Sequence, residues 1–150
     1  MCADIPDLVE TSLNLGILTL TEGHAQVCFL VRSSSSAAKQ ALVDRLAALA
    51  EHSGAAIRLE GDYPPWEYRA DSPLRERMTR IYRAQYGSEP KIEVIHAGLE
   101  CGVLAAKIPD MDCVSIGPDI PDIHTPEEHL SLPSTQRVWE FVKELLKESK

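Results

Sequence analysis

Apolar and polar residues alternate from Val9 onward, with Leu13, Leu15 and Ile17 on one face and Ser12, Asn14 and Gly16 on the other. A second alternation follows Thr21-Glu22-Gly23-His24, setting Ala25, Val27, Phe29 and Val31 against Gln26, Cys28, Leu30 and Arg32. Period-two runs on either side of a glycine-bearing turn predict a β-hairpin. Burying Leu13, Leu15 and Ile17 beside Val27, Phe29 and Val31 requires odd positions to pair with odd ones. A two-residue Glu22-Gly23 loop would pair odd with even and turn one strand's apolar set to the wrong side. A three- or five-residue loop is therefore expected. With three residues, Asn14 falls directly opposite Arg32, where an amide and a planar guanidinium fork could grip a carboxylate. Solvated residues on the outward face of an antiparallel sheet give the same pattern.

Ser33 to Ser36 offer a turn and an N-cap. A helix is expected from Ala37 to about His52, with Leu42, Leu46 and Leu49 as its stripe and Gly54 ending it. Ala56 to Glu60 reads as a strand, so residues 9–60 spell strand-strand-helix-strand, half or more of a ferredoxin-like α+β unit. The prolines of Gly61-Asp62-Tyr63-Pro64-Pro65-Trp66 break the chain and divide it into parts 1–62 and 63–150. Ser72-Pro73 starts a helix carrying Leu74, Met78, Ile81 and Tyr82 and ending at Gly87. Strands are expected at 91–95 and 113–116, a short helix at 99–106, and a last helix capped by Ser134. Helices alternating with short apolar strands mark an α/β layer, so the fold class is α/β, an α+β portion followed by an α/β segment. Two parallel strands make too small a sheet to stand alone, so residues 71–150 read as the end of a larger α/β domain.

Composition narrows the function classes. The 150 residues are 44% hydrophobic and 25% charged, as in ordinary globular domains. A net charge of -8 argues against nucleic acid or an acidic membrane as partner. No run reaches membrane-span length and the N-terminus has no signal-peptide pattern, which makes the cytoplasm the expected compartment. Cys2, Cys28, Cys101 and Cys113 show no metal-site spacing and read as free, mostly buried thiols.

Chemistry concentrates late in the chain. His96 follows a predicted strand and opens His96-Ala97-Gly98-Leu99-Glu100-Cys101-Gly102. In open α/β sheets ligands bind beyond strand ends, where helix N-termini present free amides. Gly98 permits close approach to the backbone, and Glu100 lies in the first turn of the next helix. A dipole-favoured carboxylate and a hydrogen-bonded strand-end histidine are the plainer accounts of Glu100 and His96. His124 stands in Asp122-Ile123-His124-Thr125-Pro126-Glu127-Glu128, an acidic, proline-bearing loop that suits a zinc ligand. Catalytic zinc usually takes three protein ligands, and neither HExxH nor His-x-Asp is present to supply the rest.

At these residues the chain resembles the aminoacylase/carboxypeptidase family of dinuclear zinc peptidases, and within it the aminoacyl-histidine (Xaa-His, carnosinase-like) dipeptidases. The matching pieces are Thr11 to Gly16, Arg32-Ser33, Asp62 to Trp66, Asp71-Ser72-Pro73, Val94 to Gly102, Pro109 to Asp112, Val114 to Pro118 and His124 to Glu128. The resemblance implies that residues 1–62 are the C-terminal part of a ferredoxin-like lid through which family members form homodimers. It makes residues 63–150 the closing segment of the catalytic domain. It further implies that His124 is one ligand of a two-zinc centre, that Asn14, Arg32 and Gly98 contact a dipeptide substrate, and that Glu100 and His96 support them. Departures are equally specific. The family's His-x-Asp motif, bridging Asp, Glu-Glu pair and lid His have no counterpart, and His129 stands where relatives tend to carry Arg. Without those ligands and a general base the chain alone is expected to be inactive, with no catalytic residue of its own. The alternative expectation is a non-catalytic, lid-derived module for dimerisation or small-peptide binding.

Overall fold

The computed structural model describes residues 9–95 and 100–148. It is a mixed α/β structure of two strands and four helices: β1 (Thr11–Thr21), β2 (His24–Ser33), α1 (Ser36–His52), α2 (Pro73–Tyr86), α3 (Glu100–Lys107) and α4 (Leu132–Lys147). These fall into two compact units. The first runs through Tyr68 and adds Glu93–Met111; the second takes Arg69–Ile92 and the chain from Asp112 onward.

In the first unit β1 and β2 form the expected antiparallel hairpin, but its loop corrects the sequence reading. Thr21 pairs with His24, so Glu22-Gly23 is a two-residue turn, with Gly23 at φ 76°. The register then shifts between Leu15 and Ile17, leaving Gly16 as an unpaired bulge residue. Turnward of the bulge Leu18 faces Val27; beyond it Leu15 faces Phe29 and Leu13 faces Val31. The extra residue thus converts odd-even pairing into odd-odd. Leu13, Leu15, Leu18 and Leu20 share one face with Ala25, Val27, Phe29 and Val31, while Ile17, expected among them, moves to the other. This apolar face is not buried: Leu13 is 42% and Leu20 67% exposed.

Helix α1 packs on β2. Its N-cap is Ser35, whose hydroxyl accepts from the Ala38 amide, and it ends at Ser53 with Gly54 at φ 69°. The proline-rich segment is tied back to this helix. Glu67 Oε1 accepts from the Ser36 amide at 2.8 Å, and Lys39 bonds the Tyr63 carbonyl at 2.6 Å, pairs with Asp62, and lies over the Tyr63 ring. Helix α3 meets the same segment through Gly102, where an added Cβ would fall 2.6 Å from the Pro64 carbonyl oxygen.

The core of the second unit is Met78, Ile81 and Phe141, with Leu74, Tyr82, Tyr86, Val114 and Leu145 packed against them. Helix α2 starts and stops as its sequence dictates, with Ser72 as N-cap, Pro73 in the first turn and Gly87 in the left-handed C-cap. Helix α4 starts earlier than expected. Ser131, not Ser134, is its N-cap, and Ser134 is buried in the first turn.

Three expected strands are corrected. Residues 56–60, 91–95 and 113–116 have no regular structure, and the hairpin is the one sheet among the described residues. Apolar runs become strands only when a neighbour completes their hydrogen-bond ladder, and the one strand pairing among the described residues is that of β1 with β2. The buried-thiol expectation is also corrected, because Cys28 is exposed and Cys101 and Cys113 are only half-buried; Cys2 lies outside the described residues.

Candidate functional site

The candidate residues divide between the units. On the hairpin, Asn14 pairs with Leu30 and Arg32 with Ser12, so the expected direct opposition of Asn14 and Arg32 is not found. They remain on one face, two positions apart along the ladder, at the diagonal spacing of about 7–8 Å that long side chains bridge. Both are exposed. Neither the Asn14 amide nor the Arg32 guanidinium has a hydrogen-bond or ion-pair partner among the described residues. An uncommitted guanidinium beside an uncommitted amide could bind a carboxylate, since the fork can donate to both oxygens at once.

Glu100 begins α3 and is exposed in its first turn, where a carboxylate complements the helix dipole. His96 and Gly98 lie outside the described residues. Gly102 of the same motif escaped functional notice in the sequence, and its role is steric. Its missing side chain lets the helix touch the Pro64-Pro65-Trp66 backbone.

His124 belongs to the second unit, on a closed loop between Asp119 and Ser131. The loop ends are joined by Ser131 N–H to the Asp119 carbonyl at 3.0 Å and His129 N–H to the Pro121 carbonyl at 3.3 Å. The base is fixed to α4 by the buried Ser134 hydroxyl, which accepts from the Asp119 amide at 2.9 Å, and by Arg137 against Asp119. Inside, the Asp122 carbonyl accepts from the Thr125 amide at 3.1 Å and the Thr125 hydroxyl at 2.7 Å. Such self-bonded surface loops hold their tips firmly without helix or strand.

At the tip Asp122 and His124 both adopt left-handed backbone, at φ 54° and 68°. For a residue with a Cβ that conformation costs on the order of 1–2 kcal/mol. The His124 N–H donates to Glu128 Oε2 at 2.7 Å, a short charge-assisted bond that offsets this cost. The His124 imidazole is exposed and without a partner among the described residues. His129 differs. Its Nδ1 lies 2.8 Å from the Glu127 carbonyl and 4.0 Å from Asp122 Oδ2.

One exposed, uncommitted imidazole on a fixed backbone fits a single position around a metal ion. No group of three or more His, Cys, Asp or Glu able to hold a metal occurs among the described residues. No helix of the described residues is long and apolar enough to cross a membrane.

Comparison with known proteins decides the family. Residues 6–148 match peptidase family M20/M25/M40. The chain belongs to that family. It is 39% identical over 141 residues to the cytosol non-specific dipeptidase of Escherichia coli strain K12, covering 94% of this chain and 29% of that protein. The crystal structure of the aminoacylhistidine dipeptidase from Vibrio alginolyticus superposes with a TM-score of 0.86 at 38% identity, covering 99% of this chain and 30% of the other. The chain thus spans under a third of the length of these M20 relatives.

Proposed function

We propose that this chain forms part of a zinc metallodipeptidase that hydrolyses Xaa-His-type dipeptides in the cytoplasm. The observation that carries the reading is His124, an uncommitted imidazole on a bonded, left-handed loop tip in a chain of the M20 family. In this reading residues 1–62 are the closing part of a lid and residues 63–150 the closing segment of the catalytic domain. The exposed leucine face of the hairpin favours a lid that associates with other protein, including a second lid, because monomers rarely leave so large an apolar patch bare.

Each residue has a distinct task. Zinc, when bound, supplies the Lewis acid for peptide hydrolysis. His124 would fill one coordination position; the other ligands of a two-zinc centre and the general base come from protein outside this chain. Arg32 binds the dipeptide's terminal carboxylate as a two-pronged donor, and Asn14 beside it donates to or accepts from the adjacent peptide group. Gly98 is assigned to contact the substrate, and Glu100 and His96 to supporting roles, because the motif they belong to resembles that of the dipeptidases. The names of the two relatives, a non-specific and an aminoacylhistidine dipeptidase, support a small dipeptide as substrate.

The test is to measure zinc content and Xaa-His hydrolysis for the chain alone and for a complex reconstituted with the unmatched remainder of the E. coli dipeptidase. Zinc uptake and turnover are expected in the complex, lost with His124→Ala, and absent from the chain alone. Turnover by the chain alone would overturn the division of ligands. Tight dipeptide binding by the chain without zinc would instead favour a non-catalytic peptide-binding module, a reading that the free Arg32 and Asn14 side chains make specific.

A further inference from the structure

We infer that Glu128 is a positioning residue for His124, holding the ligand's backbone in the left-handed conformation in which its imidazole stands exposed. The inference rests on the reading of His124 as a metal ligand and goes beyond it.

Three observations converge on Glu128. His124 occupies a left-handed backbone conformation at φ 68°, which a side-chain-bearing residue leaves unless something holds it. The one bond made by its amide is to the Glu128 carboxylate, at 2.7 Å. Glu128 is itself placed by its own amide, which donates to the Thr125 carbonyl at 3.1 Å, so the clamp closes within five residues. The imidazole plays no part in this clamp. The backbone is therefore fixed while both ring nitrogens stay uncommitted, and a metal needs one of them.

The chemistry suits the task better than a neutral contact would. A carboxylate accepting a backbone N–H makes a shorter and stronger bond than a neutral acceptor. A ligand held in advance loses less freedom when the metal arrives, and residues that orient metal-binding histidines commonly alter metal affinity by about 10–100-fold. Glu127 provides the internal contrast. It carries the same charge one position earlier, yet its side chain makes no hydrogen bond or ion pair among the described residues.

The experiment compares wild type, Glu128→Ala, Glu128→Gln and Glu127→Ala by amide hydrogen exchange on the full chain and by zinc retention against a chelator in the reconstituted complex. Glu128→Ala should speed exchange of the His124 amide by roughly tenfold, the loss expected for a bond to a charged acceptor. It should weaken zinc retention by about the same factor or more. Glu128→Gln, which keeps an acceptor oxygen, should restore much of both, and Glu127→Ala should change neither. Unchanged His124 exchange in Glu128→Ala overturns the clamp. Faster exchange with unchanged zinc retention overturns the positioning role, leaving a loop brace. Equal losses in Glu127→Ala also overturn it, because local charge alone would then suffice. Zinc retention in the reconstituted complex that is unchanged by His124→Ala defeats the ligand reading instead, and the inference falls with it.

Discussion

A Cβ built on Gly102 would lie 2.6 Å from the carbonyl oxygen of Pro64, with the Pro65 carbon and Trp66 nitrogen both at 3.2 Å. All three obstacles are backbone, so no rotamer change relieves them. Gly102→Ala must push α3 away from the Pro64-Pro65-Trp66 segment, which costs about 1–3 kcal/mol, typical of inserting a methyl into a packed contact. Chemical denaturation should show that loss. An equally stable Ala variant would mean that the segment yields freely, despite the bonds tying it to Ser36 and Lys39.

The Asp112 carboxylate spans Ser72 and Leu74, accepting from the Ser72 hydroxyl at 2.7 Å and the Leu74 amide at 2.8 Å. It thereby satisfies a donor at the start of α2 that Ser72 alone leaves open. Burial pushes this carboxyl up, but the Ser72 and Leu74 bonds together with the Arg69 and Arg75 charges outweigh it, and its pKa lies below the ordinary value. A folded pKa below the unfolded one adds stability above the unfolded pKa and loses it as pH falls through the folded value. Asp112→Ala should cost about 1–2 kcal/mol at neutral pH, in the range of lost helix caps. The gap between wild type and variant should shrink once pH drops below the ordinary aspartate range. A gap independent of pH, followed by urea titration from neutral to acid, would count against the charged cap.

The helices were legible from the sequence because their signals are local. Ser72-Pro73, Gly87 and Gly54 each act within one turn, and each is found in its expected place. The strands at 56–60, 91–95 and 113–116 were not, because an apolar run states a preference while pairing depends on a neighbour elsewhere in the chain. Ser134 misled for a related reason. It has cap chemistry, but the Asp119 amide claims its hydroxyl and Ser131 caps the helix. At the site, His124 stands out in the sequence as a lone histidine in an acidic loop, whereas its bond to Glu128 does not, because nothing in the spacing announces a left-handed backbone at a histidine.

The hairpin joins two features whose effects separate. Gly23 carries φ 76° in a two-residue turn, and no neighbouring atom would meet a Cβ there, so the cost of Gly23→Ala is conformational alone. About 1–2 kcal/mol is expected for placing Ala in left-handed backbone, and less for Gly23→Asn, which tolerates it better. Gly16 does different work. Deleting it removes the bulge and leaves Leu15 opposite Phe29 and Ile17 opposite Cys28 in one continuous ladder. The leucine face should survive that deletion, whereas a residue inserted between Glu22 and Gly23 should disrupt it. Cross-strand contacts between Leu13 and Val31, read by NMR, distinguish the cases; their loss on deleting Gly16 would contradict this account of the register.

Arg32 offers the sharpest test of substrate binding, because its guanidinium is uncommitted among the described residues and stands on a strand rather than a loop. A carboxylate at the end of a dipeptide does not change charge during hydrolysis, so its contact is worth the same in the ground and transition states. Losing such a contact raises KM and leaves kcat nearly intact. In the reconstituted complex Arg32→Ala should raise KM by roughly tenfold to a hundredfold, the worth of a bond to a charged group. Arg32→Lys should recover the charge but not the paired geometry, and fall between the two. Asn14→Ala should have a smaller effect of the same kind. Substrates with an amidated C-terminus close the argument. They lack the carboxylate, so wild type and Arg32→Ala should handle them alike, and a persistent difference would place the Arg32 contact elsewhere on the substrate.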